Sequence, residues 1–282
     1  VAAGRTKAGV LLRILIFAFL EIAGLAFFPP LLLPIGGYFI AAALGTFSAA
    51  AVANAIVLRI YERGNLSDIG LGWGPPSVRH LAYGVAGGIG AALLAVLPPL
   101  LAGVSELKPD ANAASGLGAM FFVSLVLLFA AVGEEMLFRG YGFQVLMNYL
   151  GPFATILPVG VIFGLAHGAN LNFSLLGFIN TTAWGILLGY AFLRSGDLWL
   201  AIGLHFGWNW TFPFFGVKLS GFTMGVTGYA MHWNIGELWS GGEYGPEASL
   251  LTLPIVALLF LYLHKAPIER QPAYLVPSLQ ED

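Results

Sequence analysis

The chain has 282 residues, with 12 Lys or Arg against 14 Asp or Glu, for a net charge of −2. Only 9% of it is charged and 58% is apolar, where a soluble domain carries about 25% charged residues. The composition is that of a polytopic membrane protein and gives no basic excess for nucleic acid to bind. There is no cysteine, which excludes disulfides, thiolate nucleophiles and cysteine-held metals.

A membrane-crossing helix needs about 20 apolar residues. Eight runs come near this, at roughly 9–28, 34–57, 80–103, 117–147, 153–168, 173–193, 198–216 and 248–264. They predict an all-α polytopic membrane protein of about eight transmembrane helices, with residues 1–282 forming a single transmembrane domain. The first run is long enough to stay as an anchor. The proline-rich stretch FPPLLLP is expected to turn the chain between the first two runs. Residues 59–79 read as an amphipathic segment with Trp73 at the membrane interface. Residues 104–116 read as a short polar loop, and 218–247, with Trp233 and Trp239, as a longer connection that either caps its face or hangs loose.

Basic residues orient this arrangement. With both termini in the cytoplasm, that side holds Arg5, Lys7, Arg13, Arg59, Arg63, Arg79, Arg194, Lys265 and Arg270, and the other holds Lys108 and Lys218. The asymmetry follows the positive-inside rule, and the expected location is the cytoplasmic membrane.

Three polar clusters interrupt the apolar runs. In AVGEEMLFRGYGF, Glu135 and Arg139 stand at i, i+4 and can pair on one face. Glu134 projects about 100° away from Glu135 and cannot fully share that face. The run continues past Arg139 to Gly151–Pro152, so a single long helix is expected, with Glu134 near its middle. A charge there costs several kcal/mol unless it is paired or faces a cavity. In VIFGLAHGAN, Phe163 precedes His167 by one turn. In AIGLHFGWNW, His205 and Asn209 share a face, beside a Gly203/Gly207 stripe that admits a neighbouring helix. Each cluster has a plain packing explanation: an ion pair, a helix-end histidine, an interhelical hydrogen bond. Their similar depth allows Glu134, His167 and His205 to converge. His80, His232 and His264 read as interfacial, and Glu21 as a packing or cavity-lining acid.

A carboxylate, two imidazoles and a carboxamide in a shielded pocket can activate water. Glu134 serves as general base, His167 holds the water, and His205 and Asn209 donate to an oxyanion. No serine pairs by motif with either histidine, and neither G-x-S-x-G nor H-E-x-x-H occurs. Glutamate with two histidines is also a zinc set. Here the ligands would come from three helices without the usual local pair, so no cofactor is expected and zinc is the disfavoured alternative.

At these residues the sequence resembles the CAAX protease and bacteriocin-processing family, also called CPBP or Abi, which includes the Ras-converting CAAX endopeptidases. The family pattern is E-E-x-x-x-R, then F-x-x-x-H, then H-x-x-x-N. It is met by Glu134, Glu135 and Arg139, by Phe163 and His167, and by His205 and Asn209. The resemblance spans about residues 65–210, with 117–210 as the motif-bearing core. It implies an eight-helix intramembrane endopeptidase with a cavity open to the cytosol. It also implies Glu134 as base, His167, His205 and Asn209 as helpers, and Glu135, Arg139 and Phe163 as supports. The implied partners are the lipid bilayer and a peptide or prenylated-peptide substrate. A non-enzymatic immunity or scaffold protein, or a transporter, could use the same charges as a relay. A transporter should show repeat symmetry between its halves, and none is visible.

Overall fold

The computed structural model describes residues 6–111 and 113–277; Arg5 lies outside them. The fold is that of an all-α polytopic membrane protein. Its helices are α1 (Lys7–Val57), α2 (Pro75–Leu101), α3 (Leu117–Arg139), α4 (Tyr141–Leu150), α5 (Pro152–Ala166), α6 (Leu175–Ser195), α7 (Trp199–Thr211), the short α8 (Glu237–Ser240) and α9 (Thr252–Lys265). Five helical stretches among the described residues are long and apolar enough to cross a membrane. Two helices in the core of the bundle, α7 with 13 residues and α9 with 14, are shorter than that.

The first helix is a hairpin. Gly24 packs on Ala49, and Gly45 on Pro29; a straight helix would hold the first pair ~38 Å apart. The chain folds back at Gly37, whose φ of 71° and ψ of −175° are non-helical and suit only glycine. The turn therefore lies beyond the prolines and not at FPPLLLP, which corrects the expectation. Pro29, Pro30 and Pro34 stay inside the helix, as neighbouring helices allow in an apolar setting.

The fourth run is also corrected. It breaks at Gly140 (ψ −144°), so α3 ends at Arg139 and Glu134 lies in its last turns. Asn54 of α1 repairs the break. Its Oδ1 accepts from the Tyr141 N–H at 2.8 Å, and its Nδ2 donates to the Met136 carbonyl at 3.1 Å. These bonds satisfy backbone groups that the interrupted helix leaves open.

Helices α2 and α7 run in parallel, nearly backbone to backbone. A Cβ on Gly84 would stand 2.4 Å from the Leu200 carbonyl oxygen, and one on Gly88 2.3 Å from that of Leu204. The small-residue stripe of α7 therefore meets a matching stripe on α2. Gly88→Val should force the two helices apart and cost about 1–3 kcal/mol, read as a lower melting temperature in detergent.

One end of the bundle carries the start of α1, the ends of α6 and α9, and most of the basic residues. Packed side chains close it. Ile69, Tyr141, Phe143, Phe192, Leu198, Leu275 and Val276 share one buried cluster. Gln144 Nε2 donates to the Ile69 carbonyl at 2.8 Å. His80, expected to be interfacial, is buried here instead. Its Nδ1 lies 2.7 Å from Asp197 Oδ2 and its Nε2 3.0 Å from the Glu269 carbonyl, so it ties the segment after α9 to α2 and to the α6–α7 connection.

At the opposite end, β1 (Ser105–Pro109) pairs antiparallel with β2 (Tyr229–Trp233), with Ser105 opposite Trp233. This ties the α2–α3 connection to the long α7–α9 connection. Of the two readings of residues 218–247, the ordered cap is the one observed.

Candidate active site

Helices α3, α5 and α7 bring the three motifs together. Glu135 and Arg139 are fully buried, and Arg139 Nη1 donates to Glu135 Oε1 at 3.2 Å. Arg139 Nη2 donates to the Gly185 carbonyl of α6 at 2.8 Å. The guanidinium also stands 4.7 Å from the Phe163 ring centroid, a cation–π contact. The Phe163 ring lies 4.7 Å from that of His167, so it separates the ion pair from the cavity-facing histidine.

Glu135 has a second partner that spacing within one helix did not reveal. Its Oε1 lies 2.9 Å from His205 Nδ1. A carboxylate only accepts, so Nδ1 carries a proton, and in the neutral ring Nε2 points away with its lone pair. His167 is held in the same sense: its Nδ1 faces the Phe163 carbonyl at 2.8 Å. The backbone oxygen fixes the tautomer, and Nε2 is again the free nitrogen.

Both free nitrogens converge on Glu134. Its Oε2 stands 3.8 Å from His205 Nε2 and 3.9 Å from His167 Nε2. These separations are too long for direct hydrogen bonds, and they suit one shared intermediate donor such as a water. Exposure divides the acids in the same way. The Glu135 side chain is 0% exposed and Glu134 is 26% exposed, facing open space.

That space is a cavity of about 340 Å³ lined by Glu134, His167, His205 and Asn209, a size in the range of ligand pockets. Phe163 also lines it. Glu21 is buried but is not among the lining residues. Among the described residues, no three His, Asp or Glu side chains are grouped so as to hold a metal ion.

The cavity runs from Glu134 toward the sheet-bearing end. Tyr38 and Phe39, just past the Gly37 turn, line it together with Leu219, Ser220, Phe222, Met224 and Glu247 of the long connection. Phe222 packs on Tyr38 and Phe39, with ring centroids 5.3 and 6.1 Å away, and forms a roof. Glu247 Oε2 fixes the turn beneath it by accepting from both the N–H and the O–H of Ser220 at 2.6 Å. Sequence reading missed these wall residues, because nothing in a loop pattern links Glu247 to Ser220.

A search of curated proteins finds no match. Residues 116–211, which supply Glu134, His167, His205 and Asn209 and about a third of the chain, match the family model described as Rce1-like, Type II CAAX prenyl endopeptidase, and so carry the sequence pattern of that endopeptidase family.

Proposed function

We propose that the protein is an intramembrane endopeptidase in which Glu134 activates a water molecule, and that residues 117–210 form its catalytic core. One observation carries the reading: two imidazole nitrogens with fixed tautomers and one carboxylate oxygen converge at 3.8–3.9 Å. Three acceptors around one point call for a donor among them, and water supplies two O–H groups.

In this reading the water sits between Glu134 Oε2 and His167 Nε2. Glu134 takes its proton as the oxygen attacks a peptide carbonyl. Asn209 donates its amide N–H to the developing oxyanion. His205 can donate from Nε2 only when it carries a second proton, because its Nδ1–H is committed to Glu135. Glu134 then returns the proton to the leaving amine nitrogen, and the peptide bond breaks to an acid and an amine. Glu135 and Arg139 act through His205 and Phe163 by holding their positions.

Asn209→Ala should lower kcat by about 10²–10³-fold, as for loss of one oxyanion donor, with an unchanged melting curve. Incubating the purified wild type and this variant with a library of farnesylated CAAX peptides, followed by mass spectrometry, tests the reading. Unchanged turnover in the variant would remove Asn209 from the oxyanion site. Cleavage of non-prenylated peptides at the same rate would remove the prenyl requirement that the family name suggests.

A further inference from the structure

We infer that Glu247 forms a second acidic subsite in the active-site cavity and receives a cationic side chain, lysine or arginine, of the bound peptide. That the ligand is a peptide rests on the endopeptidase reading; the charge of the subsite does not.

The carboxylate is built into the cavity wall. Its segment, GPEAS, is fixed from α6 by Asn180, which is fully buried and donates from Nδ2 to the carbonyls of Glu247 and Ser249, both at 2.8 Å. Thr252 Oγ1 donates to the Pro246 carbonyl at 2.6 Å. The Glu247 side chain then lines the same cavity as Glu134, His205 and Asn209. One residue links it to that site. Trp208, adjacent to Asn209 and three residues after His205, donates from Nε1 to Glu247 Oε1 at 3.4 Å. Glu247 Oε2 accepts twice from Ser220.

These donors are neutral and leave the charge uncompensated. Among the described residues, no Lys or Arg lines the cavity, and none forms an ion pair with Glu247. Lys218, two residues before Ser220, pairs with Glu243 instead. With both histidine rings neutral, the wall carries two negative charges, Glu134 and Glu247, and no positive one. A cavity walled by one sign of charge concentrates the opposite sign, and an acid at membrane depth is stabilised by a cation that pairs with it. Trp184 packs on Trp208 with ring centroids 4.8 Å apart, and both indoles line the cavity. The apolar stem of a lysine or arginine can lie along them while its head reaches the carboxylate. An acidic side chain in the same place would meet like charge.

The test compares selectivity ratios, which do not depend on how fast each variant turns over. Full-length wild type, Glu247→Gln, Glu247→Asp and Ser220→Ala, purified in an uncharged detergent, receive farnesylated CAAX peptides. In these peptides lysine, its uncharged isostere norleucine, or glutamate replaces each residue other than the cysteine in turn. Products are read by mass spectrometry. At one position or more, the wild type should favour lysine over norleucine by about tenfold in kcat/KM, as for a close charge pair shielded from water, and should use glutamate worst. The ratio should fall to near one in Glu247→Gln and persist in Glu247→Asp, which keeps the charge. It should also persist in Ser220→Ala, which loosens the clasp and keeps the acid. A lysine preference that survives in Glu247→Gln, or that Ser220→Ala loses to the same extent, would overturn the proposal. If Glu247→Gln does not fold, the wild-type ratio still decides, since lysine used no better than norleucine at every position also overturns it. If the wild type cleaves none of the peptides, the peptidase reading fails for them, and binding of dye-labelled copies, followed by fluorescence anisotropy, decides the subsite. Tighter binding of a lysine peptide than of its norleucine counterpart, lost in Glu247→Gln, supports it. Equal or absent binding contradicts it.

Discussion

Glu134→Gln should reduce peptide cleavage by about 10²–10⁴-fold, the usual contribution of a general base, and leave the melting curve close to wild type. Glutamine keeps the size of the side chain and can still hydrogen-bond, but it cannot take a proton from water. The fold should tolerate the change because Glu134 has no ion-pair partner at bonding distance. The nearest side-chain nitrogens are the two histidine Nε2 atoms at 3.8 and 3.9 Å, which face it as acceptors in the neutral rings. Turnover in proteoliposomes is the measurement. Retained activity would move the base elsewhere. Glu135 is a poor substitute, since it is buried and its Oε1 is shared between Arg139 and His205.

Arg139→Ala should behave in the opposite way, with the loss falling on stability. Removing the guanidinium leaves Glu135 as a fully buried carboxylate without its cation. Breaking one side of a buried pair costs about 3–5 kcal/mol. The Gly185 carbonyl loses its donor and Phe163 its cation at the same time. Changing Glu135→Gln and Arg139→Gln together should melt above Arg139→Ala alone, because no uncompensated charge stays behind. Detergent melting curves of the three proteins distinguish these outcomes. An Arg139→Ala protein that melts like wild type but is inactive would assign Arg139 to the substrate or the transition state.

The candidate site was legible because charge is scarce in this chain. Glu134, Glu135, Arg139, His167, His205 and Asn209 stand out from apolar surroundings, and helical spacing pairs Glu135 with Arg139 without any knowledge of the fold. Spacing could not show that Glu135 also holds His205. That contact depends on how α7 is rotated against α3, and the glycine contacts between α2 and α7 help to set that rotation. The apolar runs gave the fold class, but their internal breaks were misread. Prolines marked the wrong turn in α1, since the surrounding helices tolerate them and Gly37 alone takes the positive φ. At Gly140 the break is stabilised by Asn54, a residue 87 positions from the Tyr141 it bonds. The roof was invisible for a related reason. SELKP and YAMHW are too short for their pairing to show as alternation, and Glu247 reads as an ordinary loop acid until the fold brings Ser220 beneath it.

The measurement that bears most directly on direct attack by water is cleavage of a susceptible peptide by the wild-type protein in the presence of hydroxylamine, with products identified by mass spectrometry. If Glu134-activated water attacks the peptide carbonyl, the new C-terminus is a free carboxylate at every hydroxylamine concentration. A peptide hydroxamate that increases with hydroxylamine would reveal an acyl-enzyme on a protein nucleophile, and would contradict the role assigned to Glu134.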